Sequence, residues 1–150
     1  MPRILAVDWG ERRIGLALSD PLGVLASPLP TLEIRGEAEA VARVADTIRE
    51  VEAQSVVVGL PLTLKGERGE AAEAAERFAA RLREVCEVEV SLYDERLTSA
   101  LAQRRMHEAG NKTRGRKGRV DAGAAVALLE GWLARLRLQQ RDQRREDEEG

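Results

Sequence analysis

The sequence predicts an α/β fold: a mixed five-stranded sheet, three antiparallel strands followed by parallel ones, flanked by helices. Three observations lead there. The first part of the chain breaks into short apolar runs separated by turn-forming residues. From Val41 onward the apolar period becomes that of helices, interrupted by two further short β-branched runs. Strand–helix–strand units of this kind pair in parallel through right-handed crossovers. A chain of 150 residues suffices for one hydrophobic core without disulfides or a structural metal.

Ile4, Leu5, Ala6 and Val7 are continuously apolar, as in a strand covered on both faces. That run ends at Asp8-Trp9-Gly10, and a polar turn leads into a second strand over 14–19. Asp20-Pro21-Leu22-Gly23 is another turn signal, before an extended segment over 24–34. Pro28 and Pro30 place this third strand at an edge of the sheet. Val41, Val44, Ala45 and Ile48 then follow the spacing of an amphipathic helix. A buried strand over 55–59 closes on Gly59-Leu60-Pro61. A second helix carries Ala71, Ala75, Phe78, Ala79 and Leu82 on one stripe, and a last strand over 88–93 closes on Asp94-Glu95-Arg96. Helix is expected over 97–109, a basic loop over 111–119, and a buried helix over 120–138. The predicted domain spans 1–138, with 139–150 a charged, disordered tail.

Apolar residues make up 43% of the chain but aromatics only 3%, so the core must be built mainly of Ala, Val and Leu. The formal charge of −2 hides a local +7 over 96–119, where eight Lys or Arg face the single acid Glu108. Such separation can draw a polyanion to one place, although charge blocks also serve as solvated faces. Cys86 stands alone, which excludes an intrachain disulfide or a Cys-based zinc site. His107 is the only histidine and reads as a surface residue, so neither a serine-type triad nor a multi-histidine zinc site is supported. No signal peptide is evident, and no apolar stretch approaches the roughly 20 residues of a membrane span. A cytoplasmic protein without membrane association is expected.

Ligands of open α/β sheets bind beyond the carboxyl ends of the parallel strands. Asp8 ends the first strand, Glu95 follows the fifth, and Gly59 ends the fourth on the same rim, where a glycine admits close approach. Asp121 shares a helical stripe with Ala124, Ala125 and Leu128, so it is directed at the sheet. Each acid alone has a plainer reading: a turn for Asp8, a rim salt bridge to Arg96 for Glu95, a helix N-cap for Asp121. Their convergence favours a metal site. At ~4 Å and an effective dielectric of ~20, two carboxylates repel by about 4 kcal/mol, which a divalent cation offsets. Oxygen ligands alone point to magnesium or manganese.

With these residues the chain resembles the YqgF/RuvX family, bacterial proteins described as Holliday junction resolvase-like or as pre-16S rRNA nucleases. The resemblance covers roughly residues 3–133. It is carried by Val7-Asp8-Trp9-Gly10 with Arg13-Ile14-Gly15, then Val58-Gly59-Leu60-Pro61-Leu62 with Gly66. Asp94-Glu95-Arg96-Leu97-Thr98 and Asp121-Ala122-Gly123-Ala124-Ala125 complete it. It implies an RNase H-like fold, with Asp8, Glu95 and Asp121 as catalytic acids and metal ligands. Related resolvases carry a fourth acid in the last helix; here the position three after Asp121 is Ala124.

The implied chemistry is two-metal phosphodiester hydrolysis with Mg2+ or Mn2+. Gly10, Gly59, Arg96, Lys112, Arg114, Arg116, Lys117 and Arg119 are expected against the nucleic acid, with Trp9 and Tyr93 as candidates for base stacking. The implied substrate is the 5′ end of pre-16S rRNA, in ribosome biogenesis. The alternative is a Holliday junction or other branched or single-stranded DNA, in recombination and repair, and junction cleavage would call for a homodimer with two sites. A non-catalytic nucleic-acid binding module is a further alternative, though a pure binder gains nothing from three converging acids.

Overall fold

The computed structural model describes residues 3–98 and 121–149. The order is β1 (Ile4–Asp8), β2 (Arg13–Ser19), β3 (Ala26–Glu33), α1 (Glu37–Glu50), β4 (Ser55–Leu60), α2 (Glu70–Val85) and β5 (Glu89–Asp94). A 3₁₀ turn (Glu95–Leu97) follows, and then α3 (Asp121–Glu149). The helix expected over 97–109 lies almost wholly outside the described residues. So do His107 and the basic loop with Lys112, Arg114, Arg116, Lys117 and Arg119.

The strands lie in the order β3-β2-β1-β4-β5. β1 and β3 are antiparallel to β2, while β1, β4 and β5 run parallel. The mixed sheet is therefore the one the sequence predicts. β3 takes an edge, where Pro28, which has no N–H to donate, pairs with Ala17 without costing the sheet an inner ladder bond. β1 is central, and Ile4 through Val7 are buried on both faces.

Alternation along the strands separates two cores. Leu5, Val7, Ile14, Leu16, Val56 and Val58 face α1 and α2, where they meet Val41, Val44, Ile48, Phe78 and Leu82. Ile4, Ala6, Ala17, Val57 and Tyr93 face α3 and pack on Ala125, Leu128, Leu129 and Leu133. Alanines on both sides of this second layer let α3 lie close to the sheet. In α2 the buried stripe begins at Ala72, not Ala71, which is exposed. Positions 71 and 72 both keep helical spacing to Ala75, and the packing of the first turn puts Ala72 inside and Ala71 at the solvent edge of the stripe.

The last helix departs from expectation. α3 continues to Glu149, although every described residue from Arg137 onward is exposed. Gln, Arg and Glu are good helix formers, and an i,i+4 contact from the Gln143 amide to Asp147 at 3.3 Å supports the exposed turns. The charged tail is thus a solvated continuation of a packed helix. Among the described residues no helix is long and apolar enough to cross a membrane. Because residues past 138 bury nothing, ending the chain there should cost no more than about 0.5 kcal/mol. The melting temperature should fall by less than about 3 °C. A larger fall in calorimetry would show that the solvated turns support the core.

Candidate active site

Two of the three predicted acids meet on one face of one rim. Val7 pairs with Val58, so the next residues along, Asp8 and Gly59, are neighbours across the parallel β1–β4 pair. Gly59 pairs in turn with Tyr93 and Leu60 with Asp94, so β5 delivers Glu95 one residue past its end. Asp8 lies two residues beyond Ala6, and Gly59 two beyond Val57. Both residues therefore face α3.

A Cβ built on Gly59 would lie 2.5 Å from Glu95 Oε1 and 3.2 Å from its Cδ. The Glu95 carboxylate thus fills the volume that Gly59 gives up, beside Asp8. At 1% exposure Glu95 is the only buried carboxylate residue among those described. A carboxylate in such a place is costly unless polar or cationic partners meet it.

The backbone that carries Glu95 is fixed from both sides. The Asp94 carboxylate caps the 3₁₀ turn by accepting the Arg96 N–H at 2.9 Å, and it also accepts the Arg96 guanidinium at 2.7 to 3.1 Å. These bonds hold the Asp94 carboxyl below its ordinary pKa and the Arg96 guanidinium above its own. Beyond the turn, Thr98 donates its N–H and its hydroxyl to the Glu95 carbonyl, at 3.1 and 3.0 Å. Asp94, not Glu95, is therefore the partner of Arg96, and the plainer reading of Glu95 as a rim salt bridge does not hold.

Arg96 also ties in the loop after β4. Its Nη1 donates to the Leu64 carbonyl at 3.5 Å and lies 3.1 Å from where a Cβ of Gly66 would be. Gly66 has φ +83°, a conformation that favours glycine. Arg96 thus joins two of the sequence motifs in one contact. Asp94 and Thr98 were not among the expected site residues. The available signal was an aspartate immediately before a short turn, a common capping pattern.

Gly10 serves the β1–β2 turn: a Cβ there would lie 2.6 Å from the Arg13 carbonyl oxygen. The two aromatics expected to stack on bases are engaged in the protein. Trp9 stacks on buried Phe78, ring centroids 4.9 Å apart. Tyr93 is 7% exposed, meets Trp132 edge-on at 5.1 Å, and lies 5.4 Å from the Arg135 guanidinium. Apolar packing claims both rings because the chain has few other large side chains to fill the layers.

Asp121 opens α3, the helix covering the face on which Asp8 and Glu95 stand. Among the described residues no group of three acids, histidines or cysteines comes together. The two side chains placed beside Gly59, those of Asp8 and Glu95, are both carboxylates. That chemistry suits a hard divalent cation and not a thiolate-loving metal.

Residues 2–135 match the family described as RuvX, Holliday junction resolvase. A relative from Nocardia farcinica, named a candidate pre-16S rRNA nuclease, is 47% identical over 138 residues, covering 87% of this chain and 77% of its own. A relative of the same name from Anaeromyxobacter dehalogenans is 44% identical over 133 residues, covering 89% and 97%. Among solved structures, the chain is similar to T. thermophilus RuvC in complex with a Holliday junction substrate. The TM-score is 0.57 at 19% identity, over 91% of this chain and 96% of that one. At that identity the likeness speaks to fold alone, and with the sheet order it bears out the RNase H-like architecture.

Gly59→Ala places a methyl on the Glu95 carboxylate. Binding of Mn2+, followed by calorimetry, should weaken at least about tenfold while the variant still folds; unchanged binding would remove Gly59 from the site. Asp94 makes a separate prediction. Its folded pKa is depressed, so its contribution to stability is complete above the ordinary value of 3.8 and is lost as pH falls through the lower folded value. The melting-temperature advantage of wild type over Asp94→Ala should be constant from pH 7 to about 4 and shrink below that. An advantage independent of pH would mean the Asp94–Arg96 clamp is not ionic.

Proposed function

The chain belongs to the RuvX family, described as Holliday junction resolvases, and we propose that it is a divalent-metal-dependent nuclease acting in the cytoplasm on the 5′ end of precursor 16S rRNA. The observation that carries this reading is the buried Glu95 carboxylate lying on Gly59, beside Asp8 on the same sheet face. Asp8, Glu95 and Asp121 are the residues that would hold a pair of magnesium or manganese ions. What such ions supply when bound is Lewis acidity toward the phosphodiester and the attacking water.

The chain's own residues do the rest. Asp94 and Thr98 fix the peptide that presents Glu95 at the rim. Gly59 leaves the volume that the Glu95 carboxylate occupies. Arg96, held by Asp94, fixes the 64–66 loop at the edge of the site. Lys112, Arg114, Arg116, Lys117 and Arg119 grip phosphates just before Asp121, positioning the strand without reading its bases. The names of the relatives favour RNA as the substrate.

Three substrates discriminate the readings: an RNA carrying the 16S 5′ leader, single-stranded DNA of the same sequence, and a four-way DNA junction. With Mg2+ at fixed salt the leader RNA should be cut. Excess chelator should stop the reaction, and Asp8→Asn should slow it at least about 100-fold, equivalent to roughly 2.7 kcal/mol in the barrier. Full activity in chelator would rule out the metal mechanism. Cleavage of the junction with the RNA left intact would make the protein a resolvase, acting as a two-fold dimer.

A further inference from the structure

We propose that an arginine-lined cleft beside this rim is a second binding site, which takes the sugar–phosphate backbone of a ribonucleotide strand. It rests on the nuclease reading only for the source of that strand. Two adjoining hollows of about 570 and 700 Å³ share Arg13, Glu33, Ile34 and Arg35 and so form one cleft. Its walls are the β1–β2 turn, the end of β3 and the first turns of α1.

This cleft lies at the catalytic end of the sheet. Asp8 at the end of β1 pairs with Gly15 near the start of β2, and Arg13 pairs with Glu33 at the end of β3. The ends of β1 and β3 are two strand spacings apart, about 10 Å. The carboxylates face α3, and by the same alternation Arg13 and Glu33 lie on that face, since Ile14 and Leu32 beside them pack toward α1 and α2. The cleft wall continues round the sheet edge to Ile34, Arg35, Glu39 and Arg43. A strand joining the two sites passes the β1–β2 turn, which Gly10 keeps tight.

The scaffold of the cleft is fixed by its own contacts. The Arg12 carbonyl accepts the Ile34 N–H at 2.9 Å, and the Arg35 N–H donates to Glu39 Oε2 at 3.1 Å. Arg43 pairs with Glu39 at 3.8 Å and donates to the Glu33 carbonyl at 2.5 Å. None of those contacts uses the exposed, charged side chains of Arg12, Arg35, Glu11 and Glu33. All four line one cleft, yet no ion pair within 4.0 Å joins any of them to another described residue.

Opposite charges held apart in a cleft leave room for a ligand that satisfies both. A guanidinium matches phosphate through its planar fork. A carboxylate only accepts hydrogen bonds and repels phosphate, so a site for phosphate alone would not carry Glu11 and Glu33. Ribose resolves the mismatch. Its 2′-hydroxyl donates to a carboxylate while the flanking phosphates meet the arginines, and DNA lacks that donor. The mixed set thus selects RNA backbone over DNA backbone.

The test is binding of the full chain, in excess chelator so that nothing is cut, to fluorescent single strands of one sequence made as RNA, DNA and 2′-O-methyl RNA. Wild type should prefer RNA to DNA by about fivefold or more, the worth of one hydrogen bond, and treat the 2′-O-methyl strand like DNA. The double variant Arg12→Ala/Arg35→Ala should weaken binding to all three and flatten the salt slope by about 1.4. Glu33→Ala should erase the preference for RNA. Unchanged affinity in the double variant, or an RNA preference that survives Glu33→Ala, overturns the proposal; both variants change exposed residues, and melting curves confirm their fold. Magnesium-dependent cleavage by wild type is scored separately. Its survival with a failed cleft leaves the nuclease reading standing, and its absence with an intact RNA preference leaves the cleft standing.

Discussion

A carboxylate that is 1% exposed at the end of a sheet is the constraint on which the site depends. Glu95 can occupy that place only because the neighbouring strand offers a glycine there. Any side chain at position 59 would claim the volume in which Oε1 lies. The backbone around Glu95 answers the same demand. Asp94 caps the turn that holds it, and Thr98 donates twice to its backbone carbonyl, so the backbone that presents a group expensive to bury is held in place. Gly59, Asp94 and Thr98 thus form one device, spread over two strands and a turn.

The sheet supplies the rest through parity and order. Alternation puts Asp8 and Gly59 on the face that α3 covers, and the β1-β4-β5 order puts Glu95 one strand from Gly59. A slip of one residue in β1 or β4 would send Asp8 or Gly59 to the α1–α2 side and dissolve the site. Ile4 to Val7 and Val56 to Val58 are apolar on both faces, so no solvent face opposes that slip, and register rests on how these side chains fit the two helix layers. Stability of the central sheet and geometry of the rim are therefore the same property.

Much of this was legible in the sequence, because the informative signals were local. Apolar runs of strand length, prolines at 28 and 30, and a glycine ending the fourth strand gave the sheet, its edge and its rim. Asp8 and Glu95 could be placed together because both fall at the carboxyl ends of parallel strands. Less legible were contacts that depend on three-dimensional neighbours. The pairing of Arg96 with Asp94 over Gly66 joins residues thirty apart, and sequence spacing alone suggested Glu95 as the partner instead. Trp9 and Tyr93 stand beside the acids in sequence, but packing takes both rings, one onto Phe78 and one against Trp132. The tail past residue 138 differs from expectation for another reason. Its composition lacks a core-forming stripe, but helix propensity and a packed helix upstream extend it all the same.

The central claim is that the carboxylates gathered over Gly59 form a divalent-cation site. Anomalous diffraction from a crystal soaked in Mn2+ addresses it without relying on activity. A peak within coordination distance of both the Asp8 and Glu95 carboxylates, on the α3 face of the sheet, is the result predicted. Strong peaks elsewhere with none at that rim, in a crystal where the rim is open to solvent, would contradict it.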